Sequence, residues 1–191
     1  DVEAGDYGDL VLSEVWERAN PDELVIGINL AVYKGGGQTQ GSGLNTRFVN
    51  VDNLEKVGNF NFNTCSGYHQ SILAKNQNCR SYDLIAGIER DQVDIPFRIV
   101  MDGYISDGKG DRDPITGRRH LLAIRMFQVI DHDGNVIPNH YIALNDYVKN
   151  GCSEADGALP TDEFANCDWN DNITYFINIK PVNPLAIGNM S

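Results

Sequence analysis

The segment Leu24-Val25-Ile26-Gly27-Ile28-Asn29-Leu30-Ala31-Val32-Tyr33 carries an aliphatic side chain at every second position. Successive side chains of a β-strand point to opposite faces, so this alternation is typical of a strand with one face against a core. The face that we expect to lie against the core consists of Leu24, Ile26, Ile28, Leu30 and Val32. The segment therefore predicts one strand of a β-sheet.

Segments of similar pattern lie on both sides of it. Leu10 to Trp16 is predicted as a strand and Asn20-Pro21-Asp22 as a turn, which together suggest an antiparallel pair with the first segment. The segment 121–130 is apolar on both faces, which suggests a strand covered on both sides. Further strands are predicted around residues 44–51, 82–88, 97–105, 136–147 and 173–179.

About eight strands with little helix predict an all-β fold, and an antiparallel β-sandwich with long polar loops is its natural architecture. A jelly roll fits the pattern equally well. The 191 residues contain no low-complexity linker, so we predict a single domain over residues 1–191. The chain opens on Asp1 without a basic or apolar leader, which favours a domain excised from a larger extracellular protein.

Polar segments separate the predicted strands. Gly35–Gly43 is rich in glycine and amides, and it predicts either a binding loop or a plain connection. Residues 59–80 form the longest irregular segment, with a helical turn expected at Ser71–Lys75 and Tyr68 as a candidate ligand contact. Asp131-His132-Asp133-Gly134-Asn135 contains Asp-Gly between two strands, so a hairpin turn explains it better than a metal loop.

The chain has 27 acidic and 15 basic residues, which gives a net charge of −12. This charge repels nucleic acid phosphates and anionic lipids, so neither is expected as a partner. No apolar run approaches the roughly 18 residues that a membrane-spanning helix needs, so no membrane insertion is expected. Bound divalent cations would relieve the self-repulsion of the acidic residues, although acidity also serves solubility alone.

Four cysteines form two local pairs, Cys65 with Cys79 and Cys152 with Cys167. Neither pair has the C-x₂-C spacing of zinc sites, and polar turn residues flank both, so we predict two disulfides. Three connectivities are open, and local pairing is preferred because each bond would fasten one polar loop. Disulfides imply an oxidising compartment, and we therefore expect an extracellular or cell-surface location.

The segment Asn166-Cys167-Asp168-Trp169-Asn170-Asp171-Asn172-Ile173 concentrates carboxylate and amide oxygens in a few positions. Such oxygens repel one another unless a cation lies between them, and Ca²⁺ binds about six to eight oxygen ligands of this kind. The alternative is that these side chains only cap and turn the chain before a strand. Asn172-Ile173-Thr174 also matches the glycosylation acceptor pattern, which we interpret as coincidence at the start of a strand.

Two other acidic segments extend the set of candidate calcium ligands. Asp6-Tyr7-Gly8-Asp9-Leu10-Val11 repeats the arrangement near the N-terminus and predicts a second joint of the same kind. The loop over residues 106–117 contains three aspartates and predicts either calcium or direct ligand binding, or a solvated hairpin tip. The candidate metal ligands are Asp6, Asp9, Asp107, Asp111, Asp113, Asn166, Asp168, Asn170 and Asp171.

The segments 168–173 and 6–11 resemble the Asp-x-Asp-aromatic-Asn-Asp-aliphatic calcium motif of secreted bacterial β-sandwich domains. Such domains recur in large surface proteins and in calcium-dependent adhesins of the repeats-in-toxin type. The N-terminal copy departs from the motif, with Gly8 where Asn is usual and Gly5 where the first acid is expected. The resemblance implies a calcium-dependent binder of peptides or glycans.

No enzyme motif is present. The chain has no Gly-x-Ser-x-Gly and no His-Glu-x-x-His, and its four histidines lack ligand spacing. We therefore expect a non-catalytic, monomeric adhesion module of a longer bacterial surface protein that recognises an extracellular peptide or glycan on another cell. The alternatives are a carbohydrate-binding module of a secreted polysaccharide-degrading enzyme and a structural spacer. A polysaccharide lyase or glycosidase is a third alternative, because its catalytic residues need be neighbours only in space. Tyr68, Asp107, Asp111 and Asp113 are the candidate ligand-binding residues.

Overall fold

The computed structural model describes residues 8, 10–11, 13–32, 46–60, 71–72, 85–89, 92–101, 104–105, 124–145 and 172–183. Within these residues the chain forms thirteen strands and no α-helix. The strands are β1 (Leu10–Val11), β2 (Trp16–Arg18), β3 (Val25–Val32), β4 (Thr46–Asn50), β5 (Lys56–Phe60), β6 (Ser71–Ile72), β7 (Ile85–Ile88), β8 (Phe97–Met101), β9 (Tyr104–Ile105), β10 (Ile124–Ile130), β11 (Val136–Asn145), β12 (Asn172–Ile177) and β13 (Ile179–Pro181).

The strands form two antiparallel sheets. The first has seven strands in the order β1-β10-β11-β12-β3-β6, and β7 lies beside β6 on the same edge of β3. The second has six strands in the order β13-β2-β8-β4-β5, and β9 lies beside β2 on the same edge of β8. The sheets do not close into a barrel, so the prediction of an all-β antiparallel sandwich is confirmed.

Aromatic rings fill the core between the sheets. Phe48 stacks on Phe97 with ring centroids 3.9 Å apart, and Phe176 of the seven-stranded sheet lies 5.9 Å from Phe48. Trp16 meets Tyr141 edge-on across the two sheets at 4.9 Å. Burying one such side chain contributes on the order of 2 kcal/mol, so these contacts are a main reason why the sheets stay face to face.

The two sheets share a corner at Asn178. Strands β2 and β13 pair in one sheet and β3 and β12 pair in the other, so the chain crosses between sheets at residues 19–24 and again at Asn178. Asn178 has a φ of 68°, a left-handed conformation that asparagine adopts more readily than most residues. Its Nδ2 donates to the backbone carbonyls of Asn20, Glu23 and Leu24 over 3.0, 3.1 and 3.2 Å. One buried amide therefore fastens both crossings.

The face of residues 24–33 that the sequence predicts to pack against the core is the wrong one. Phe176 is the register partner of Gly27, and its fully buried side chain lies on the core side of the sheet. Phe176 thus supplies the bulk beside Gly27, so the large aliphatic side chains of β3 do not occupy this face. The buried residues of β3 are Val25, Gly27, Asn29 and Ala31, whereas Ile26, Ile28 and Leu30 lie half buried on the outer face.

The N-terminal segment predicted as one strand is two strands in different sheets. Strand β1 pairs with β10, whereas β2 pairs with β8 and β13. The antiparallel pair expected with the segment 24–33 is therefore wrong, because residues 19–24 carry the chain into the other sheet. The turn itself is confirmed, since the Glu23 N–H donates to the Asn20 carbonyl at 3.3 Å.

The hairpin predicted at residues 131–135 is confirmed. Asp131 Oδ1 accepts hydrogen bonds from the N–H groups of Asn135 and Asp133, both at 2.9 Å, and Gly134 has a φ of 83°. The bond from Asn135, followed by the others, lowers the pKa of Asp131. Strand β10 before the hairpin has partners on both edges, but its buried residues, Ile124 and Met126, lie on one face only. Its predicted cover on both faces is therefore wrong.

Within the segment 59–80, which the sequence predicts as irregular, all of the described residues belong to strands. Asn59 and Phe60 complete β5, which forms a hairpin with β4. Ser71 and Ile72 form β6 beside β3, so the helical turn expected at Ser71–Lys75 is wrong at its first two residues.

Candidate functional site

All predicted metal, ligand and cysteine residues lie outside the described residues. These are Asp6, Asp9, Cys65, Tyr68, Cys79, Asp107, Asp111, Asp113, Cys152, Asn166, Cys167, Asp168, Asn170 and Asp171. Their assignments as calcium ligands, ligand contacts and disulfides stay predictions. The structure does describe the strand ends to which these segments connect.

One end of the seven-stranded sheet receives most of these connections. Asn172 aligns with both Asn145 and Val32, and Asn145 aligns in turn with Ile124. Residues 33–45, 106–123 and 146–171 therefore all join this sheet at the same end, which we call the loop end. The predicted calcium segment Asn166–Asp171 leads directly into Asn172. The loop end lies opposite the corner at Asn178.

The interior of the sandwich at the loop end is polar. Four inward-facing side chains of the seven-stranded sheet, all at most 1% exposed, form what we call the interior polar patch: Asn29, Asn145, Asn172 and Thr174. Asn172 Nδ2 donates to Asn145 Oδ1 at 3.1 Å across the neighbouring strands. The first residue of β12 is therefore fixed by a buried amide pair. The same burial leaves no room for a glycan on Asn172, in agreement with our interpretation of the acceptor pattern.

The side chains in the other half of the patch form no hydrogen bond among the described residues. Thr174 and Asn29 are register partners and fully buried, yet Thr174 Oγ1, Asn29 Oδ1 and Asn29 Nδ2 form no hydrogen bond within the part of the chain that the structure describes. Leaving one buried polar group unpaired costs about 1–3 kcal/mol. This cost is large compared with the net stability of a domain, which is roughly 5–15 kcal/mol. The unpaired atoms therefore matter for the stability of the fold.

Two further features mark the same place. The register between β3 and β12 slips next to this pair, because Ile173 aligns with Ala31 and Thr174 aligns with Asn29, which leaves Leu30 as an extra residue. Such bulges occur often beside functional sites. On the facing sheet, Thr46 is also fully buried with an unpartnered Oγ1. Thr46 and Thr174 each lie two residues from the Phe48–Phe176 contact, on the side away from the corner.

The outer face of the seven-stranded sheet carries a titratable pair. His140 Nδ1 is hydrogen-bonded to the Tyr175 hydroxyl. Burial lowers the pKa of His140 and raises the pKa of Tyr175, so both groups favour their neutral forms. In the neutral tautomer that carries its proton on Nε2, Nδ1 accepts from the Tyr175 hydroxyl. Ile142, the register neighbour of Tyr175, is half buried beside them.

The N-terminal motif joins the sheet elsewhere. Leu10 and Val11 align with Phe127 and Met126, so β1 runs towards the loop end. The chain therefore enters β1 at the end of the strand that points away from the loop end. Gly8 lies against the backbone of Gln128 so closely that a Cβ would overlap the Gln128 carbonyl oxygen. This close approach leaves no room for a side chain at position 8. The two motifs therefore attach at different levels of the sheet.

The described residues contain no group of three or more His, Cys, Asp or Glu side chains arranged to hold a metal ion. Among the same residues, no helix is long and apolar enough to cross a membrane. Sequence reasoning missed the interior polar patch, although Asn29 in an aliphatic strand and the spacing of Asn172 and Thr174 were its signals. No protein-family model, curated protein or solved structure matches this chain.

Proposed function

We propose that the protein is a calcium-dependent ligand-binding module of a bacterial surface adhesin. One observation carries the proposal: the acidic segment Asn166–Asp171 runs into Asn172, whose side chain is buried and held by Asn145. A segment with one end fixed in a sheet loses less conformational entropy when its oxygens close around an ion. The proposal gives this segment the role of a clamp on the last strands.

Calcium is the ion that suits these residues. Asp168 and Asp171 supply carboxylates, while Asn166 and Asn170 supply amide oxygens, which is the hard oxygen set that Ca²⁺ prefers. The net charge of −12 adds a favourable field for a divalent cation. The chain's own part in this chemistry is to present the oxygens and to hold Asn172 in register.

Ligand recognition is assigned to the polar segments rather than to the sheet faces. Two of these, Gly35–Gly43 and Asp107–Asp113, belong to stretches that join the seven-stranded sheet at the loop end. The segment with Tyr68 follows Phe60, the partner of Thr46 in the facing sheet. In one mechanism a ligand carboxylate or vicinal hydroxyls complete the calcium shell; in the other, calcium only shapes the pocket.

A glycan array and a peptide library, each probed with the full chain in calcium and in EDTA, test this function. We expect calcium-dependent binding to one ligand class, with Asp107→Ala and Asp113→Ala weakening it. Binding to polysaccharide fragments alone would favour a carbohydrate-binding module of a secreted enzyme. Silence on both arrays, with calcium still stabilising the fold, would favour a spacer and overturn the adhesive role.

A further inference from the structure

We propose that the interior polar patch is a buried water site, in which at least one ordered water molecule bridges Thr174 and Asn29. This inference concerns a site inside the sandwich and does not depend on calcium or on the adhesive function. It begins from three unpartnered polar atoms on two fully buried, register-paired side chains.

The distance between the two register partners suits a molecule the size of water. Register partners on the same face of an antiparallel pair have Cβ atoms about 5 Å apart, close enough for one small molecule to contact both side chains. Nevertheless, Thr174 Oγ1 and the Asn29 amide form no hydrogen bond with each other. The small side chain of Ala143, the register partner of Thr174 on β11, adds little bulk beside the pair.

The polar groups of the patch favour a neutral molecule that both donates and accepts hydrogen bonds. Asn29 offers two donor hydrogens and one acceptor oxygen, and the Thr174 hydroxyl can do either. No member of the patch carries a charge, and the described residues contain no cluster of three acidic or metal-ligating side chains. A buried ion would therefore meet no counter-charge from the patch itself. A buried water typically makes about three hydrogen bonds to otherwise unsatisfied groups, which matches the three unpartnered atoms.

Thr46 extends the site towards the facing sheet. Its fully buried, unpartnered hydroxyl lies at the corresponding level of the other sheet, two residues from Phe48. A second water is therefore expected if Thr46 and Thr174 share the same hydrated space.

Magnetic relaxation dispersion of ¹⁷O water tests the proposal by counting long-lived internal water molecules. Thr174→Val removes the hydroxyl at constant shape, and Thr174→Ser retains it as the matched control. We expect the wild type and Thr174→Ser to hold at least one long-lived water that Thr174→Val loses. An equal count in folded Thr174→Val and wild type would overturn the proposal.

A crystal structure of the wild-type protein provides the second measurement, which does not rely on a variant that folds. The expected result is ordered water density within hydrogen-bonding distance of both Asn29 and Thr174. A dry contact between these side chains, or density for a non-water atom between them, would overturn it.

Discussion

The side-chain amide of Asn178 hydrogen-bonds both peptide groups of Asn20, a residue 158 positions earlier in the chain. Its Oδ1 accepts from the Asn20 N–H at 2.6 Å, and its Nδ2 donates to the Asn20 carbonyl at 3.0 Å. The Asn178 N–H donates in turn to Asn139 at 2.9 Å. The corner between the two sheets is thus held by one residue that is hydrogen-bonded to two separate parts of the chain, residues 19–24 and Asn139.

Replacing the side-chain amide of Asn178 should lower the free energy of unfolding by an amount that depends on the new residue. Asn178→Gly tolerates the positive φ but loses the side-chain bonds, and we expect a loss of about 1–3 kcal/mol in the free energy of unfolding. Asn178→Asp turns a carboxylate oxygen towards three carbonyls. We therefore expect this variant to lose more free energy of unfolding, about 3–5 kcal/mol. Urea unfolding gives both values.

Asn183 provides the control for this pair of variants. It also has a positive φ, 51°, but it is exposed. Asn183→Gly should change the free energy of unfolding by less than about 0.5 kcal/mol. Equal effects at Asn178 and Asn183 would show that backbone conformation, and not the buried hydrogen bonds, determines the stability of the corner.

Gly8 should not accept even a methyl group. A Cβ at Gly8 would overlap the Gln128 carbonyl oxygen, so Gly8→Ala must displace the chain before β1 from β10. Overpacking of this kind costs about 1–3 kcal/mol, measurable as a lower thermal midpoint. Gly87→Ala is the matched control, because its Cβ would find only ordinary contacts at 3.6 and 3.8 Å. If both variants melt together, the contact between Gly8 and Gln128 does not form in solution.

His140 should make stability depend on pH near neutrality. Burial lowers its pKa in the folded state from 6.5, so below pH 6.5 the unfolded chain binds a proton that the folded chain resists. This contribution is therefore present above pH 6.5 and is lost as the pH falls through the folded-state pKa. We expect urea midpoints of the wild type to fall over this range more than those of His140→Gln.

The exposed His132 separates this effect from a general response to pH. The imidazole of His132 is 89% exposed, so His132→Gln makes the same substitution without affecting the His140–Tyr175 pair. A His140→Gln variant that retains the full wild-type pH dependence would contradict the role of the His140–Tyr175 pair.

The sequence alone predicts most of the long strands, and it predicts the buried face of β8 but not that of β3. Phe97, Ile99 and Met101 alternate strictly and are all fully buried, and the Asp-Gly hairpin follows from local turn chemistry. The orientation of β3 could not be predicted in this way. It depends on Phe176, which is distant in the sequence and lies beside Gly27 only after β12 has paired with β3.

The candidate site also has one part that the sequence predicts and one part that depends on strand pairing. Closely spaced acids and amides predict a calcium segment directly from the sequence, because such oxygens repel one another wherever the segment lies. The interior polar patch requires the register of three strands, since Asn29, Asn145 and Thr174 become neighbours only through pairing. A period-two pattern treats the inward Asn29 as the polar side of the strand and therefore assigns it to solvent.

The central claim is that calcium binds the folded chain at Asn166–Asp171, and the most direct test is the thermal midpoint in calcium and in EDTA. An ion that binds only the native state stabilises it by mass action, so saturating calcium should raise the midpoint by on the order of 5–10 °C. Asp168→Ala should abolish most of this increase and differ little from the wild type in EDTA. A wild-type midpoint that is the same in calcium and in EDTA would contradict the claim.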